Sequence, residues 1–509
     1  MSGDFSYDKV IYPSYVFQHI RPDRLGAVAA LHGINVSRIE TARILELGCG
    51  DGANLLSVAY SMPSAECLGI DLSKERICEA ASNAEAIGIR NARFLYADIC
   101  DVKSEEIGTF DFIIAHGLFS WVPASVRSRL LEIYRDCLAR SGIGYISYNA
   151  LPGWHLRRVA RDAMLFHTEN IADPKEKVRS ALEFLEFLRY SAKSESIYQR
   201  LLEAEIENSN DRPAANIFHD DLAEINQPFY FTEFVKEITP FQLKFVAESE
   251  PVAFFDRKFS ENTRAALNRL WDDYLRREQY LDFITGSRFR SSLVCRSGEN
   301  PIYKPDPALI DNLWLSTQST PLAADAVLDD DSTVEFRGPF NSTFELNHPF
   351  VKSVLGMLAA AWPRRVPFAE VTNFLRSKFS QIPDDRFAEM MNLFRAFVVE
   401  LFHSMIIELR AFYPAYKLEI SDRPETSAFA RWQIRAGFEY VTTMTGVNLI
   451  PENDLMRQLI TLFDGSRSVT DVLEELKSSD PLVIAEYCDP QSTIRQNLEK
   501  FLNAGLLVG

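Results

Sequence analysis

The stretch ILELGCGDGANL, residues 44–55, decides the fold of this chain. Its apolar start predicts a strand, its three glycines at alternate positions predict a loop, and a helical pattern begins directly behind them. Glycines let a backbone turn tightly after a strand and approach a bound molecule closely, which side chains would prevent. The stretch therefore predicts a ligand-binding loop, with the spacing GxGxG and not the GxGxxG of dinucleotide-binding proteins.

Strand and helix patterns alternate on both sides of this loop, from residue 43 to residue 149. Such alternation is typical of βαβ units and predicts a doubly wound α/β core with a parallel sheet. A later strand-like pair, at 242–251 and 288–298, is expected to complete the sheet as an edge hairpin. The five parallel strands are predicted at 43–47, 66–71, 92–98, 110–116 and 144–149, with helical segments such as 73–87 and 123–138 between them.

The rest of the chain divides by pattern into further units. Long amphipathic helices over 155–212 predict a helical insertion into an α/β domain formed by residues 1–154 and 213–300. A middle module over 301–420 contains a hairpin near 332–346 and helices near 371–379 and 394–407, and a last module covers 421–509. Both modules are expected to be α+β and winged-helix-like, with the last one reading helix, turn, helix and terminal strand. Such folds bind DNA or proteins, and without a basic recognition helix a protein-contact role is favoured.

Composition narrows the class of protein. The 509 residues carry 71 acidic and 54 basic side chains, a net charge of −17, and 47% of them are apolar. That charge has the wrong sign for binding nucleic acid or an anionic membrane by electrostatics alone, so basic partners are more natural. A charge spread over so long a chain also simply keeps it soluble.

Cysteines, histidines and the N-terminus predict the compartment and the absence of a metal. Seven cysteines without a CxxC pattern, mostly inside apolar runs, fit free thiols in a reducing cytosol. The first residues form no basic and apolar leader, and no run approaches the roughly 18 to 20 apolar residues of a membrane span. Eight histidines show neither HExxH nor Cys/His ligand spacing. We expect a cytoplasmic protein without stable membrane insertion and without a metal.

With Glu46 two positions before the first glycine, the loop reads ExGxGxG. This pattern resembles the first motif of class I S-adenosylmethionine-dependent methyltransferases, a Rossmann-like family in which the loop contacts the amino-acid and ribose portions of S-adenosylmethionine. Asp71 ends the second strand 23 residues after Gly48, where an acid can accept hydrogen bonds from both ribose hydroxyls. Asp71 can equally share with Ser73 the N-cap of the next helix.

The resemblance extends to the ends of the third and fourth strands. It implies that Asp98 binds the adenine amino group, that Ile99 lies against the ring, and that His116 lies near the methionine part. The cofactor-binding residues expected from this resemblance are Glu46, Gly48, Cys49, Gly50, Asp71, Leu72, Asp98, Ile99 and His116.

Other segments resemble one group within this family. The segments YPSYVF (12–17), HGLFSWVP (116–123) and SYNALPGWH (147–155) are similar to methyltransferases with a regulatory domain, among them the rickettsial protein lysine methyltransferases of outer-membrane protein B. The similarity continues into 346–363 and 459–476, so it covers nearly the whole chain. The fourth strand lacks the NPPY-like sequence of enzymes that methylate bases or glutamine amides, which disfavours those substrates.

Aromatic residues after the fourth and fifth strands are the candidate substrate wall. Trp121, Tyr148 and Trp154 follow strands whose carboxyl ends carry ligands in open α/β sheets. Aromatic faces remove water from an amine and attract cations such as a sulfonium. The two tryptophans can equally pack the insertion onto the sheet, and the tyrosine hydroxyl can satisfy a buried backbone group. No general base can be assigned.

The N-terminal tyrosines Tyr7, Tyr12 and Tyr15 either form a flap over the cofactor or belong to a mobile terminus. For the whole chain, the resemblance implies a class I methyltransferase that acts on lysine side-chain amines of a protein, with the insertion serving regulation or homodimer formation. Two alternatives stay open. One is a methyltransferase for a small molecule or an oxygen nucleophile, and the other is a sensor of S-adenosylmethionine that binds protein or DNA through its winged-helix-like end.

Overall fold

The computed structural model describes residues 10–13, 15–36, 38–250, 259–479 and 487–509. Its central feature is a seven-stranded mixed sheet, flanked by helices on both faces, which agrees with the Rossmann-like sheet that the resemblance implies. The strands are β1 (Arg43–Leu47), β2 (Glu66–Asp71), β3 (Ala92–Tyr96), β4 (Phe110–Ala115), β5 (Leu138–Asn149), β6 (Leu243–Glu248) and β7 (Phe289–Arg296). Their order in the sheet is β3-β2-β1-β4-β5-β7-β6.

The first five strands are parallel and the last two close the sheet. β7 runs antiparallel to both β5 and β6, which confirms the expected edge hairpin. The bounds of β1 and β2 agree with the sequence prediction, whereas β5 begins at Leu138, six residues earlier than expected. The pairing of β4 with β5 shifts register between Phe110 and Phe112, so the polar stretch at 139–142 is accommodated as an irregularity within the strand.

Seventeen helices of eight or more residues occur in the described part of the chain. Ten belong to the first 300 residues: α1 (Pro22–Leu31), α2 (Ala53–Ser61), α3 (Lys74–Ile87), α4 (Ala124–Cys137), α5 (Gly153–His167), α6 (Pro174–Ser191), α7 (Ile197–Asn210), α8 (Phe231–Ile238), α9 (Glu261–Asn268) and α10 (Tyr274–Thr285). The others are α11 (Pro349–Ala361), α12 (Phe368–Lys378), α13 (Asp384–His403), α14 (Ala428–Arg435), α15 (Asp454–Leu462), α16 (Val469–Ser479) and α17 (Pro490–Ala504).

The predicted helical insertion consists of α5, α6 and α7. Asp173 and Ser196 cap α6 and α7 by accepting hydrogen bonds from backbone N–H groups of the first turn. The three helices bury a small apolar cluster that includes Met164, Leu185 and Leu202. This cluster is separate from the two cores on the faces of the sheet.

The middle region packs directly on one face of the sheet. Its strands form two small sheets. Its helices α11 to α13 share one continuous buried cluster with the seven-stranded sheet, and that cluster includes Phe112 of the sheet together with Leu315 and Phe402 of the middle region. The expected hairpin is present as β10 with β11. The strands of this region are β8 (Trp314–Ser316), β9 (Thr320–Pro321), β10 (Val334–Arg337), β11 (Thr343–Leu346), β12 (Val366–Pro367) and β13 (Glu408–Arg410).

The last region has an apolar core of its own, formed by α14 to α17 and a short hairpin of β14 (Val441–Thr442) and β15 (Asn448–Leu449). The predicted helix, turn, helix is present as α15 and α16. The predicted terminal strand is present only as a short antiparallel pairing, in which Leu507 forms a bridge with Thr426 and the amide of Val508 donates to the carbonyl of Glu425. A winged-helix identity for the two C-terminal modules stays a prediction.

Three chemical features complete the fold. All seven cysteines are free, with Cys49, Cys67, Cys137 and Cys295 buried. Among the described residues, no helix combines the length and apolar character needed to cross a bilayer. The same residues contain no grouping of three or more His, Cys, Asp or Glu side chains suited to a metal ion.

Candidate active site

The glycine loop turns at the carboxyl end of β1 through left-handed backbone conformations. Gly48, Gly50 and Gly52 have φ angles of +76°, +54° and +77°, which L-residues with side chains adopt only at a cost. At Gly52 a Cβ atom would also lie 2.8 Å from the ring of Phe94. The three glycines are therefore required by the backbone path, and at Gly50 open space surrounds the chain.

Asp71 braces this loop from the end of β2. Its Oδ2 accepts a hydrogen bond of 2.8 Å from the amide of Gly50, and its Oδ1 accepts one of 2.8 Å from the amide of Ser73. The Ser73 hydroxyl in turn caps α3 by accepting from the amide of Arg76. Helix capping thus belongs to Ser73, and the Asp71 carboxylate, with about four acceptor positions, faces the loop.

Glu46 lies beneath the loop and is 5% exposed. Its Oε1 accepts a 2.9 Å hydrogen bond from the Asn54 amide, while its Oε2 has no partner among the residues that the structure describes. Burial is the main cause that raises the pKa of Glu46 to about 8; the charges of Asp51 and Asp71 act in the same direction, and the hydrogen bond from Asn54 opposes them. A buried carboxylate oxygen without a partner fits an ammonium group such as that of S-adenosylmethionine, because a cation there would satisfy both its charge and its hydrogen bond.

Asp98, Ile99 and Leu72 lie at the ends of β3 and β2. The Asp98 side chain accepts a 2.8 Å hydrogen bond from the amide of Cys100 and so starts a short turn. Ile99 is half-buried against the core, and Leu72 is exposed. Two apolar side chains that retain accessible surface here fit the flat face of an adenine ring.

His116 ends β4 and carries no charge at neutral pH. Its Nδ1 lies 3.0 Å from the Tyr145 hydroxyl, and its ring packs 4.1 Å from that of Phe17, centre to centre. Burial, with a smaller contribution from the neighbouring His19, lowers the pKa of His116 to about 3. A neutral imidazole places no positive charge against a sulfonium bound at this position.

A segment from the N-terminus crosses the site; we call residues 10–13 and 15–20 the strap. The amide of Phe17 donates to Asn54 Oδ1 at 3.2 Å, and the carbonyl of Val16 accepts from Asn448 of the last region at 3.1 Å. Tyr12 and Tyr15 lie on the strap with their rings 6.3 Å apart. Tyr7 lies outside the described residues.

The structure brings two of the three substrate-wall candidates together. The rings of Trp121 and Trp154 meet edge to face with centres 6.1 Å apart, and the Arg157 guanidinium lies 5.0 Å above the Trp154 ring. Trp154 is buried and Trp121 is half-buried. The pair therefore joins the start of α5 to the segment after β4.

Tyr148 requires a correction, because it does not line a substrate wall. It is 1% exposed and stacks on Phe234 at 4.2 Å, inside the core on the opposite face of the sheet. Alternation along β5 explains the error, since residues two apart share a face. Tyr145 and Ser147 face His116 and the amide of Gly117, and Tyr148 therefore points away.

Sequence reasoning missed three polar or aromatic residues of the site: Asn54, Asn149 and Phe17. Asn149 is buried at the end of β5, and its Nδ2 has no partner among the described residues. Alternation along the strand was the signal that could have found it, because it shares the face of Ser147. No sequence signal links Phe17 to Asn54, which are 37 positions apart.

Comparison with known proteins agrees with this geometry. The sequence matches the family described as "Methyltransferase domain" over residues 44–142 and the one described as "Predicted methyltransferase regulatory domain" over 213–296. Protein RP789 of Rickettsia prowazekii is 30% identical over 450 residues, which cover 87% of this chain and 79% of that protein. The chain belongs to the class I methyltransferases with a regulatory domain. Its cofactor is therefore S-adenosylmethionine.

A solved structure extends the similarity of this regulatory-domain methyltransferase to its whole length. PKMT2 from Rickettsia typhi, in complex with AdoHcy, matches with a TM-score of 0.84 and 25% identity, covering 98% of this chain and all of that one. A shorter relative, protein RP028 of Rickettsia prowazekii, is 36% identical over 245 residues, 48% of this chain and 98% of its own. The regulatory-domain match contains β6 and β7, so that segment supplies two strands of the catalytic sheet.

Proposed function

We propose that this methyltransferase transfers methyl groups to lysine side-chain amines of a protein substrate. The observation that carries the proposal is the match to PKMT2 across the whole chain, including the regions beyond the methyltransferase domain. Interactions far from the reacting atoms position a large substrate through binding energy, which gives these additional regions a role. A chain with a net charge of −17 also suits a lysine-bearing partner.

Positioning is the main task of such a site. When bound, S-adenosylmethionine supplies an electrophilic methyl group on its sulfonium, and the attacking lone pair must lie in line with it. Glu46 is suited to the ammonium end and Asp71 to the ribose, so the two acids fix both sides of the reacting centre. The neutral His116 avoids repulsion at the sulfonium.

A lysine ammonium must lose a proton before its nitrogen can attack. Removing water from the amine lowers its pKa, and aromatic side chains do this without offering a competing charge. Phe17, His116 and the half-exposed Phe289 form such a surface next to the end of β4. The Asn149 carboxamide, on the same face, provides a polar group that can orient the amine.

The alternatives have weaker support. A sensor that binds DNA through its last module needs a basic surface, yet residues 421–509 carry eight Lys and Arg against thirteen Asp and Glu, a net charge of −5. A small-molecule enzyme leaves the whole-chain similarity to PKMT2 without a purpose. Both remain outcomes of the experiment below.

We further propose a cytoplasmic homodimer formed through the helical insertion. Large apolar side chains project from α5, α6 and the start of α7 into solvent, which is unusual for a monomer. The free-energy cost of exposing these side chains to water is removed when a second copy of the chain covers them. The exposed residues are Leu156, Phe166, Phe187, Tyr190, Ile197 and Tyr198.

The decisive experiment is methyl-tritium transfer from labelled S-adenosylmethionine to a lysate of the native host, separated into protein and small-molecule fractions. Label in a protein band, lost when its lysines are first acetylated, supports the proposal. Label only in small molecules identifies a metabolite enzyme, and no transfer despite tight cofactor binding identifies a sensor. Asp71→Ala serves as the matched control, since its weaker cofactor binding must reduce the intensity of every band that this enzyme labels.

A further inference from the structure

A second cavity lies beside the cofactor site, between the strap and the middle region. Its volume is about 640 Å³, within the range of sites that bind small ligands or peptide side chains. Polar and charged groups line it together with apolar side chains. The residues used below are His19, Arg24, Glu250, Phe340, Met405 and Glu408.

Arg24 is the unusual group in this cavity. It is 9% exposed, and its one hydrogen bond among the described residues joins Nε to the carbonyl of Ser249 at 3.4 Å. Within the same part of the chain it has no carboxylate within ion-pair distance. Burial lowers the pKa of Arg24 to about 10, so the guanidinium keeps its charge at neutral pH. The charges of Glu250, Glu408 and Asp23 offset part of the cost of burying this cation, but none of them forms a direct ion pair with it among the described residues, so a ligand carboxylate can supply that partner.

Neighbouring acids are already occupied by other arginines. Asp23 Oδ2 accepts from Arg365 at 3.0 Å, and Glu408 Oε2 accepts from Arg410 at 3.1 Å. The group of charges around α1 and β13 contains four arginines and three carboxylates, and so carries an excess positive charge of one. Its members are Arg21, Arg24, Arg365, Arg410, Asp23, Glu250 and Glu408.

The cavity shares one wall with the cofactor site. His19 lines the cavity, and its ring lies 5.4 Å from that of His116 and 5.7 Å from that of Phe17, centre to centre. A single layer of aromatic and imidazole rings therefore separates the two spaces. A group bound to Arg24 is therefore adjacent to the position where a methyl acceptor must lie.

We propose that this cavity binds a carboxylate of the protein substrate, an Asp or Glu side chain near the target lysine, through the guanidinium of Arg24. This inference rests on the proposed protein methylation. Glu250 and Glu408 line the same cavity and would repel a doubly charged phosphate more than a single carboxylate. The exposed Phe340 and Met405 at the rim offer apolar contact to the residues on either side.

Peptide binding tests this inference separately from methyl transfer. Fluorescent peptides in a Gly/Ser background carry one lysine and, one to four positions away, either Asp or Asn. Their affinity for the full chain loaded with AdoHcy is measured by anisotropy. We expect at least one spacing at which Asp binds about tenfold more tightly than Asn, as one charge-assisted hydrogen-bonded pair allows. Equal affinities at all four spacings would overturn the proposal.

Variants assign the effect to Arg24. Arg24→Met is expected to remove the preference for Asp and Arg24→Lys to keep part of it, while Arg386→Met, an exposed arginine on α13, leaves it unchanged. AdoHcy binding by each variant reports that the chain is folded. If Arg24→Met does not fold, the affinities of the Asp and Asn peptides for the native chain and for Arg24→Lys still test the proposal.

Two further outcomes separate the possible failures. Inorganic phosphate is added as a competitor to the native chain and to Arg24→Lys, each with the Asp peptide bound. If one phosphate concentration fully displaces the peptide from the native chain and displaces none from Arg24→Lys, the cavity is a site for free anions and the proposal is overturned. Methylation of Asp and Asn peptides with equal kcat/KM would overturn this inference alone. Absence of methyl transfer to every lysine peptide and protein would instead overturn the proposed function.

Discussion

Replacing Glu46 with Gln tests the central electrostatic feature of the cofactor site. In the folded protein without cofactor the pKa of Glu46 is about 8, so about nine tenths of these carboxyls hold a proton at pH 7. An ammonium group bound against Oε2 favours the ionised form, and binding must therefore expel that proton. We expect about 0.9 proton released per AdoHcy bound at pH 7, and none for Glu46→Gln.

Affinity should follow the same titration. Because the ionised fraction that is ready to bind a cation rises from about one tenth at pH 7 to about one half at pH 8, the Kd for AdoHcy is expected to fall about fivefold between these pH values. The Kd of Glu46→Gln should stay nearly constant over this range. Calorimetry in buffers of different ionisation enthalpy measures both quantities. Glu85→Gln, which changes an exposed carboxylate on α3, is the control.

The pH dependence of stability, measured without cofactor, tests the raised pKa of Glu46 independently. The folded pKa of Glu46 is raised, whereas the unfolded value is about 4.3, so the folded chain binds more protons between these values and loses stability as the pH rises through them. Glu46→Gln removes this penalty. Its stability advantage over the native chain should grow by about 2 kcal/mol from pH 6 to pH 8 in urea unfolding. An advantage that does not change with pH, together with unchanged proton release, would refute the reasoning.

Three further predictions concern the loop and the insertion. Asp71→Ala should raise the Kd for AdoHcy about ten- to a hundredfold in calorimetry, because it removes charged hydrogen bonds; an unchanged Kd would exclude this role. Gly52→Ala should lower the unfolding free energy by about 2 to 4 kcal/mol, since its Cβ meets Phe94, whereas Gly88→Ala, also left-handed but open, should cost only about 1 to 2 kcal/mol. Phe166→Ser combined with Tyr190→Ser should convert a sedimenting dimer into a monomer; a native chain that is already monomeric would contradict the proposed interface.

Features set by short stretches of chain could be predicted from the sequence. The parallel strand order follows from alternating patterns. Glu46 and Asp71 lie at the same edge of the sheet because they stand near the carboxyl ends of the neighbouring strands β1 and β2. The edge hairpin of β6 and β7 could be found from two apolar runs, although about a hundred residues separate them from β5. In each case backbone pairing rules convert local patterns into position.

Features that depend on which way a side chain points, or on contacts between distant parts of the chain, could not be predicted from the sequence. Tyr148 was expected at the substrate wall because the strand end was known and its facing was not, and one residue of alternation reverses that facing. Arg24 is left without a direct ion pair only when α1 meets β13, because Arg365 and Arg410 take the nearby acids. Tertiary packing decides such positions, and composition or periodicity does not encode it.

The anchor of the strap has a consequence for the newly synthesised protein. The carbonyl of Val16 waits for Asn448, which lies 432 positions later in the chain. At ordinary rates of translation the ribosome needs about 20 to 90 s to cover that distance. Until then the strap of a nascent chain is held only by contacts with earlier residues, such as that of Phe17 with Asn54. The contact of the strap with the last region is therefore added to the cofactor pocket only when translation is almost complete.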